Sequence, residues 1–90
     1  MTYRVRVTDV ARQEMRRLPG QVRQRIRRLV EALAADPTPA SAKELRGLPA
    51  RYRVSLLDWR VIYRLDHAAQ TIVILTVRRK TGPQTYQDIE

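Results

Sequence analysis

Ninety residues, 43% of them hydrophobic and none of them cysteine, make one small domain and exclude disulfide staples, thiolate metal sites and thiol catalysis. Eighteen basic residues against nine acidic ones leave a net charge of +9, a balance that seeks nucleic acid, acidic protein segments or anionic lipid. Sixteen of the eighteen are arginine, which grips phosphate or carboxylate with a bidentate fork where lysine acts as a point charge.

In chain order, Tyr3, Val5 and Val7 alternate with Arg4 and Arg6, which predicts a short first strand. Thr8 is placed to cap a helix, and Asp9 suits the positive end of its dipole. Ala11, Met15 and Leu18 then fall at i, i+4 and i+7, so a first amphipathic helix is expected over about residues 9–18 until Pro19-Gly20 breaks it. A second helix carries Val22, Ile26, Leu29, Val30 and Leu33 on one stripe and most of Arg23, Arg25, Arg27 and Arg28 off it. It stops at Asp36-Pro37, because proline disfavours helix in the residue before it. Two helices joined by so tight a turn form a helical hairpin whose stripes must cover something.

Residues 37–50 are the least regular stretch, and Lys43-Glu-Leu-Arg-Gly-Leu48 is expected to pack one leucine and lead into a strand. Next, Tyr52, Val54 and Leu56 alternate up to a tight turn, and Trp59, Val61, Tyr63 and Leu65 alternate after it. That period of two predicts a β-hairpin with one face on a core. The other parity holds Arg51, Arg53, Ser55, Arg60, Ile62 and Arg64, four of which are guanidinium groups, a face suited to phosphate. Asp66 to Gln70 reverses the chain, and Thr71 to Val77 is a continuous β-branched run typical of a central strand covered on both sides. Arg78-Arg79-Lys80 and a polar tail containing Tyr86 close the chain. No stretch approaches the roughly 20 apolar residues of a membrane span, and residues 1–30 show no signal-peptide pattern, so a cytoplasmic location is expected.

The elements sum to β-α-α-β-β-β. The expected fold is a single two-layer α+β domain over residues 1–90, with the helical hairpin on one face of a small, mostly antiparallel sheet and the arginines on the other.

Taken together, these residues resemble the RelE/ParE superfamily of toxins from bacterial and archaeal toxin–antitoxin modules. The resemblance rests on Tyr3-Arg-Val-Arg-Val, Ala11, Leu18-Pro19, Ala32-Leu33, Asp36-Pro37, Lys43-Glu-Leu-Arg-Gly-Leu48, Tyr52-Arg-Val, Asp58-Trp-Arg-Val-Ile-Tyr63, Arg78-Arg79-Lys80 and Tyr86, and it covers nearly the whole chain. It implies the same two-layer fold and two different activities. RelE-like members cut messenger RNA in the ribosomal A site without a metal or other cofactor. ParE-like members inhibit DNA gyrase and cut nothing. Both are neutralised by a cognate antitoxin that wraps the toxin, and operator DNA is met only through that complex.

On the RelE-like reading, the RNA 2′-OH attacks the adjacent phosphate, and the protein must orient it, take its proton and stabilise the phosphorane; cationic donors aimed at the developing charge supply the largest share. The resemblance assigns Arg60 to the scissile phosphate and Arg53 to the same phosphate or to activation of the nucleophile. Ser55 stands where the resemblance sets a second basic residue, a departure that speaks for the gyrase alternative; a third reading is a degenerate toxin that only binds its antitoxin. For a further cation, counting back from Tyr86 selects Lys80 and counting from the strand selects Arg79, and both stand. Tyr86 matches a tyrosine that stacks on a base or accepts a proton. For each of these basic residues the plain alternative is a solvated charge, and for Tyr86 it is docking on the core. His67, the only histidine, reads as a surface turn residue, and no metal-ligand spacing is present.

Overall fold

The computed structural model describes residues 2–80. Its elements are β1 (Arg4–Val7), α1 (Asp9–Arg16), α2 (Gly20–Ala35), β2 (Lys43–Glu44), β3 (Arg51–Leu56), β4 (Trp59–Asp66) and β5 (Thr71–Arg79). They form one five-stranded sheet in the order β1-β5-β4-β3-β2. β1 runs parallel to β5, and every other pairing is antiparallel. The expected α+β architecture is therefore present, with one strand more than the sequence pattern showed.

Thr8 starts α1 as expected. Its hydroxyl accepts from the Ala11 N–H at 3.1 Å and donates to the Leu75 carbonyl at 2.9 Å, so the cap also ties the helix to β5. The helix ends at Arg16, two residues short of the expected span, and Leu18 is buried just beyond it. In α2, Ile26, Val30, Leu33 and Ala34 are buried. Together with Ala11 and Leu18, the stripe of α2 covers one face of the sheet, where Val54, Val61, Tyr63, Leu65, Ile72, Ile74 and Val77 point inward. Each such side chain stabilises the fold by about 1.5–3 kcal/mol through apolar burial. Tyr63 is fully buried, stacks on Tyr52 with centroids 5.7 Å apart, and donates its hydroxyl proton to the Pro37 carbonyl at 2.7 Å.

The second face corrects one expectation. It is not uniformly cationic: Ile62, Val73 and Leu75 are buried on it beneath Leu45, with Leu48 packed alongside. Both leucines come from residues 43–50, so the segment expected to contribute one leucine contributes two. β2 pins that segment by pairing Lys43 with Arg53 and Glu44 with Tyr52. Gly47, at φ 75°, supplies the left-handed residue that lets the chain fold back. The arginines thus surround a small apolar island.

Candidate nucleic-acid interface

Cross-strand register decides which cations share a surface. On β3 and β4, Arg53 pairs with Ile62, Ser55 with Arg60, and Arg51 with Arg64, all on the face away from the helices. Lys43 extends the first of these rows beside Arg53. In the other direction Arg60 pairs with Arg78 of β5, which gives a row Ser55–Arg60–Arg78 across three strands. Directly opposed side chains on one face stand about 5 Å apart at Cβ, so Arg60 lies within reach of both its row neighbours.

Arg78 reaches this face because of an irregularity. The β4–β5 ladder shifts by one residue between Ile62 and Tyr63: Tyr63 faces Ile74, whereas Ile62 faces Thr76, and Leu75 is the extra residue. A slip of one residue reverses every side chain beyond it. Without it Arg60 would oppose Val77, and Arg78 would fall on the helix side. With it Val77 enters the main core and Arg78 joins Arg60. Bulges commonly re-aim a side chain beside a functional site.

The structure separates the residues singled out in the sequence. It brings Arg53 and Arg60 onto one face of adjacent strands, both half-buried, with the Nε of Arg60 enclosed. Arg79 pairs with Trp59 on the opposite face, its guanidinium 5.2 Å from the indole centroid, a cation–π contact. Lys80 follows the end of β5, exposed, with its backbone N–H donating to the Asp58 carbonyl at 2.7 Å. Strand alternation returns position 80 to the side of Arg78, at the margin of the surface. Tyr86 lies outside the described residues. Arg78 is the member that sequence reasoning did not single out, because the unbroken apolar run of β5 conceals its parity.

His67 sits in the β4–β5 turn, at the far end of β4 from Arg60 and about 20 Å away at 3.3 Å per strand residue. There its Nδ1 is 2.8 Å from the Tyr3 hydroxyl, and the two rings meet edge to face. Among the described residues no three His, Cys, Asp or Glu side chains stand together as a metal site.

A second basic surface lies on the helices. Arg12, Arg16, Arg23 and Arg27 rim a groove of about 300 Å³ whose floor includes Val7 and Met15. Beside it, Val5, Val7, Met15, Val30 and Ala34 line a more apolar groove along β1. β1 is an edge strand, and Val5 on it is 36% exposed. No helix among the described residues is long and apolar enough to cross a membrane.

The chain was also compared with known proteins. The family model of the ParE toxin of type II toxin–antitoxin systems matches residues 5–81. The toxin–antitoxin complex RelBE2 of Mycobacterium tuberculosis contains a chain similar in structure, with a TM-score of 0.79 and 28% identity, covering 88% of this chain and 99% of that one. The archaeal RelE–RelB complex of Pyrococcus horikoshii gives a TM-score of 0.82 at 27% identity, covering 92% of this chain and all of the other. The isolated RelE toxin of E. coli, at 20% identity and a TM-score of 0.80 over 96% of this chain and 93% of its own, shares the fold. No curated protein matches the chain by sequence.

Proposed function

We propose that this chain, which belongs to the ParE toxin family of type II toxin–antitoxin systems, acts as a ribosome-dependent messenger-RNA endonuclease. The observation that carries the reading is the convergence of Arg53, Arg60 and Arg78 on one face of three adjacent strands. Three guanidinium groups on one face of adjacent strands suit a phosphodiester, whose charge rises as the 2′-oxygen attacks. In that step the 2′-OH gives up its proton as its oxygen bonds to phosphorus. The P–O5′ bond then breaks and the departing oxygen takes a proton, leaving a 2′,3′-cyclic phosphate and a free 5′-OH. Arg60 and Arg53 hold the non-bridging oxygens. Lys80 adds a cation at the margin, since Arg79 is turned to Trp59 on the opposite face, and Tyr86 stacks on a base or moves the proton. No cofactor takes part, and the reaction belongs to the cytoplasm, where the ribosome and its message are the targets.

The antitoxin is the second partner. The groove rimmed by Arg12, Arg16, Arg23 and Arg27 fits an acidic amphipathic segment that orders on binding, with its apolar side on Val7 and Met15. Operator DNA is met through that complex.

One observation favours a different target. Ser55 opens the three-strand row with a neutral group, and no histidine stands on this face among the described residues. A gyrase inhibitor needs neither a full set of cations nor a proton acceptor. Primer extension on a reporter message in a purified translation system separates the two. Cuts that require ribosomes on the message, and vanish with Arg60→Ala, support the nuclease. An untouched message alongside accumulating gyrase–DNA cleavage complexes would replace it with the gyrase reading.

A further inference from the structure

Where β1 ends, the outer edge of β5 has no strand partner among the described residues beyond Ile74, and α1 packs there. The Glu14 carboxylate accepts from the Val77 backbone N–H at 2.9 Å and from the Thr76 hydroxyl, whose oxygen lies 2.7 and 2.9 Å from its two oxygens. A threonine hydroxyl has a single proton. With that proton committed to Glu14, the oxygen meets its other neighbour only as an acceptor. That neighbour is Arg78, whose Nε–H donates to it at 3.3 Å. The side chains of Thr76 and Arg78 are thus joined two residues apart on β5, just past the extra residue Leu75.

We infer that Arg78 is a phosphate-contacting residue of the arginine face, and that Glu14 and Thr76 are its positioning residues. The inference rests on the nuclease reading above and adds to it a cation with its own support. Two features act together. The bulge sets the side on which Arg78 emerges, and the Glu14–Thr76 pair fixes how its guanidinium is turned. An Nε held by Thr76 limits how the guanidinium can turn on the face it shares with Arg60. Ser55, the neutral member of that row, lies on the other side of Arg60, so Arg78 gives Arg60 a directly opposed cation on β5 where β3 sets a serine opposite it. Thr76 is buried at 3% exposure, so the link is shielded from competing water. The ligand class is an RNA phosphodiester in extended single-stranded form, held by a fork rather than by a point charge.

The test uses single-turnover cutting of a programmed ribosome by the full chain, with Arg60→Ala in parallel, and the NMR signal of the Arg78 Nε–H in the free protein. Arg78→Gln is expected to slow cutting by about 10- to 100-fold at saturation, with half-saturation changed less than threefold. Thr76→Val, nearly the same shape without the hydroxyl, should slow it by about 3- to 10-fold and collapse the Nε–H signal toward that of a free arginine. Thr76→Ser should restore both, which a role in packing alone would not predict. If Arg60→Ala abolishes cutting while Arg78→Gln cuts at the normal rate, the inference fails and the nuclease reading stands. If the chain cuts nothing, the nuclease reading fails, and inorganic pyrophosphate titrated against the Nε–H signal decides the rest. A shift of that signal in the native chain that is lost in Thr76→Val upholds the anion contact, and its absence overturns it.

Discussion

The two faces of the sheet are built from alternate residues of the same strands, yet they carry opposite work. On the helix face Val54, Val61, Tyr63, Ile72, Ile74 and Val77 are all but sealed from solvent. On the other face a patch of Ile62, Val73 and Leu75 under Leu45 and Leu48 is surrounded by half-buried and exposed cations. The helix face supplies most of the free energy of folding, and the apolar island on the other face adds a smaller share. That other face also holds like charges close together at a cost that the helix face must offset. Outside the apolar island of Ile62, Val73 and Leu75, stability and function should therefore separate by parity, and substitutions along β3, β4 or β5 test that separation.

The largest effect is expected at Tyr63. Tyr63→Ala should cost about 3–5 kcal/mol, enough to unfold a domain this small, and denaturant titration measures it. Tyr63→Phe keeps the ring and leaves the Pro37 carbonyl without its donor, for a loss of about 1–3 kcal/mol. It also has a pH signature. Burial, and to a lesser degree Tyr52 and Asp36, push the Tyr63 hydroxyl well above the usual tyrosine range. The folded state then holds its proton more tightly than the unfolded chain does. Stability from this source is complete below the ordinary tyrosine pKa of about 10 and falls as pH rises beyond it. In Tyr63→Phe that part of the alkaline decline should vanish.

Arg60→Ala should show the reverse pattern, with cutting reduced by about 10²- to 10³-fold and the unfolding midpoint nearly unchanged or raised as like charges are relieved. Should Arg60→Ala unfold the protein instead, the division of labour between the faces would be wrong.

The same parity explains what is legible in the sequence. β3 and β4 have one apolar and one charged side, so alternation alone reveals the hairpin, its turn and the placement of Arg53 and Arg60. The helices are equally plain from the spacing of Ala11 and Met15 and of Ile26, Val30 and Leu33. β5 is apolar on both sides, and an unbroken run carries no phase. The extra residue at Leu75 then reverses the phase, so nothing in the sequence distinguishes Arg78, on the arginine face, from Arg79, on Trp59. Leu45 and Leu48 are hidden for another reason. Two leucines in an irregular segment have no period, and the strand that anchors them is only two residues long. Glu14 looks like one more polar helix residue, because its partners lie more than sixty positions away.

Thr8 ties the start of α1 to β5, and its removal should have a smaller effect. Thr8→Ala is expected to cost about 1 kcal/mol through the lost helix cap, read from the thermal midpoint. Because α1 also carries Glu14, a loosened start of the helix should weaken the hold on Arg78, and cutting should fall modestly while Thr8→Ser behaves as the native chain.

The smallest effect is expected at the turn, which belongs to neither face. Leu57 has φ 53°, a left-handed conformation that disfavours a bulky side chain, and it is 57% exposed. Nothing in the described chain is gained by leucine there: glycine would relieve the backbone and remove an exposed apolar group. Leu57→Gly should raise stability by up to about 1 kcal/mol, less the entropy that glycine loses on folding. The turn stands next to the ends of the strands bearing Arg60 and Arg78. A strained, exposed leucine in that place is explained if it touches a partner. The stabilised variant should then cut ribosome-bound message more slowly than the native chain, and a variant both more stable and fully active would mean that the leucine is mere tolerated strain.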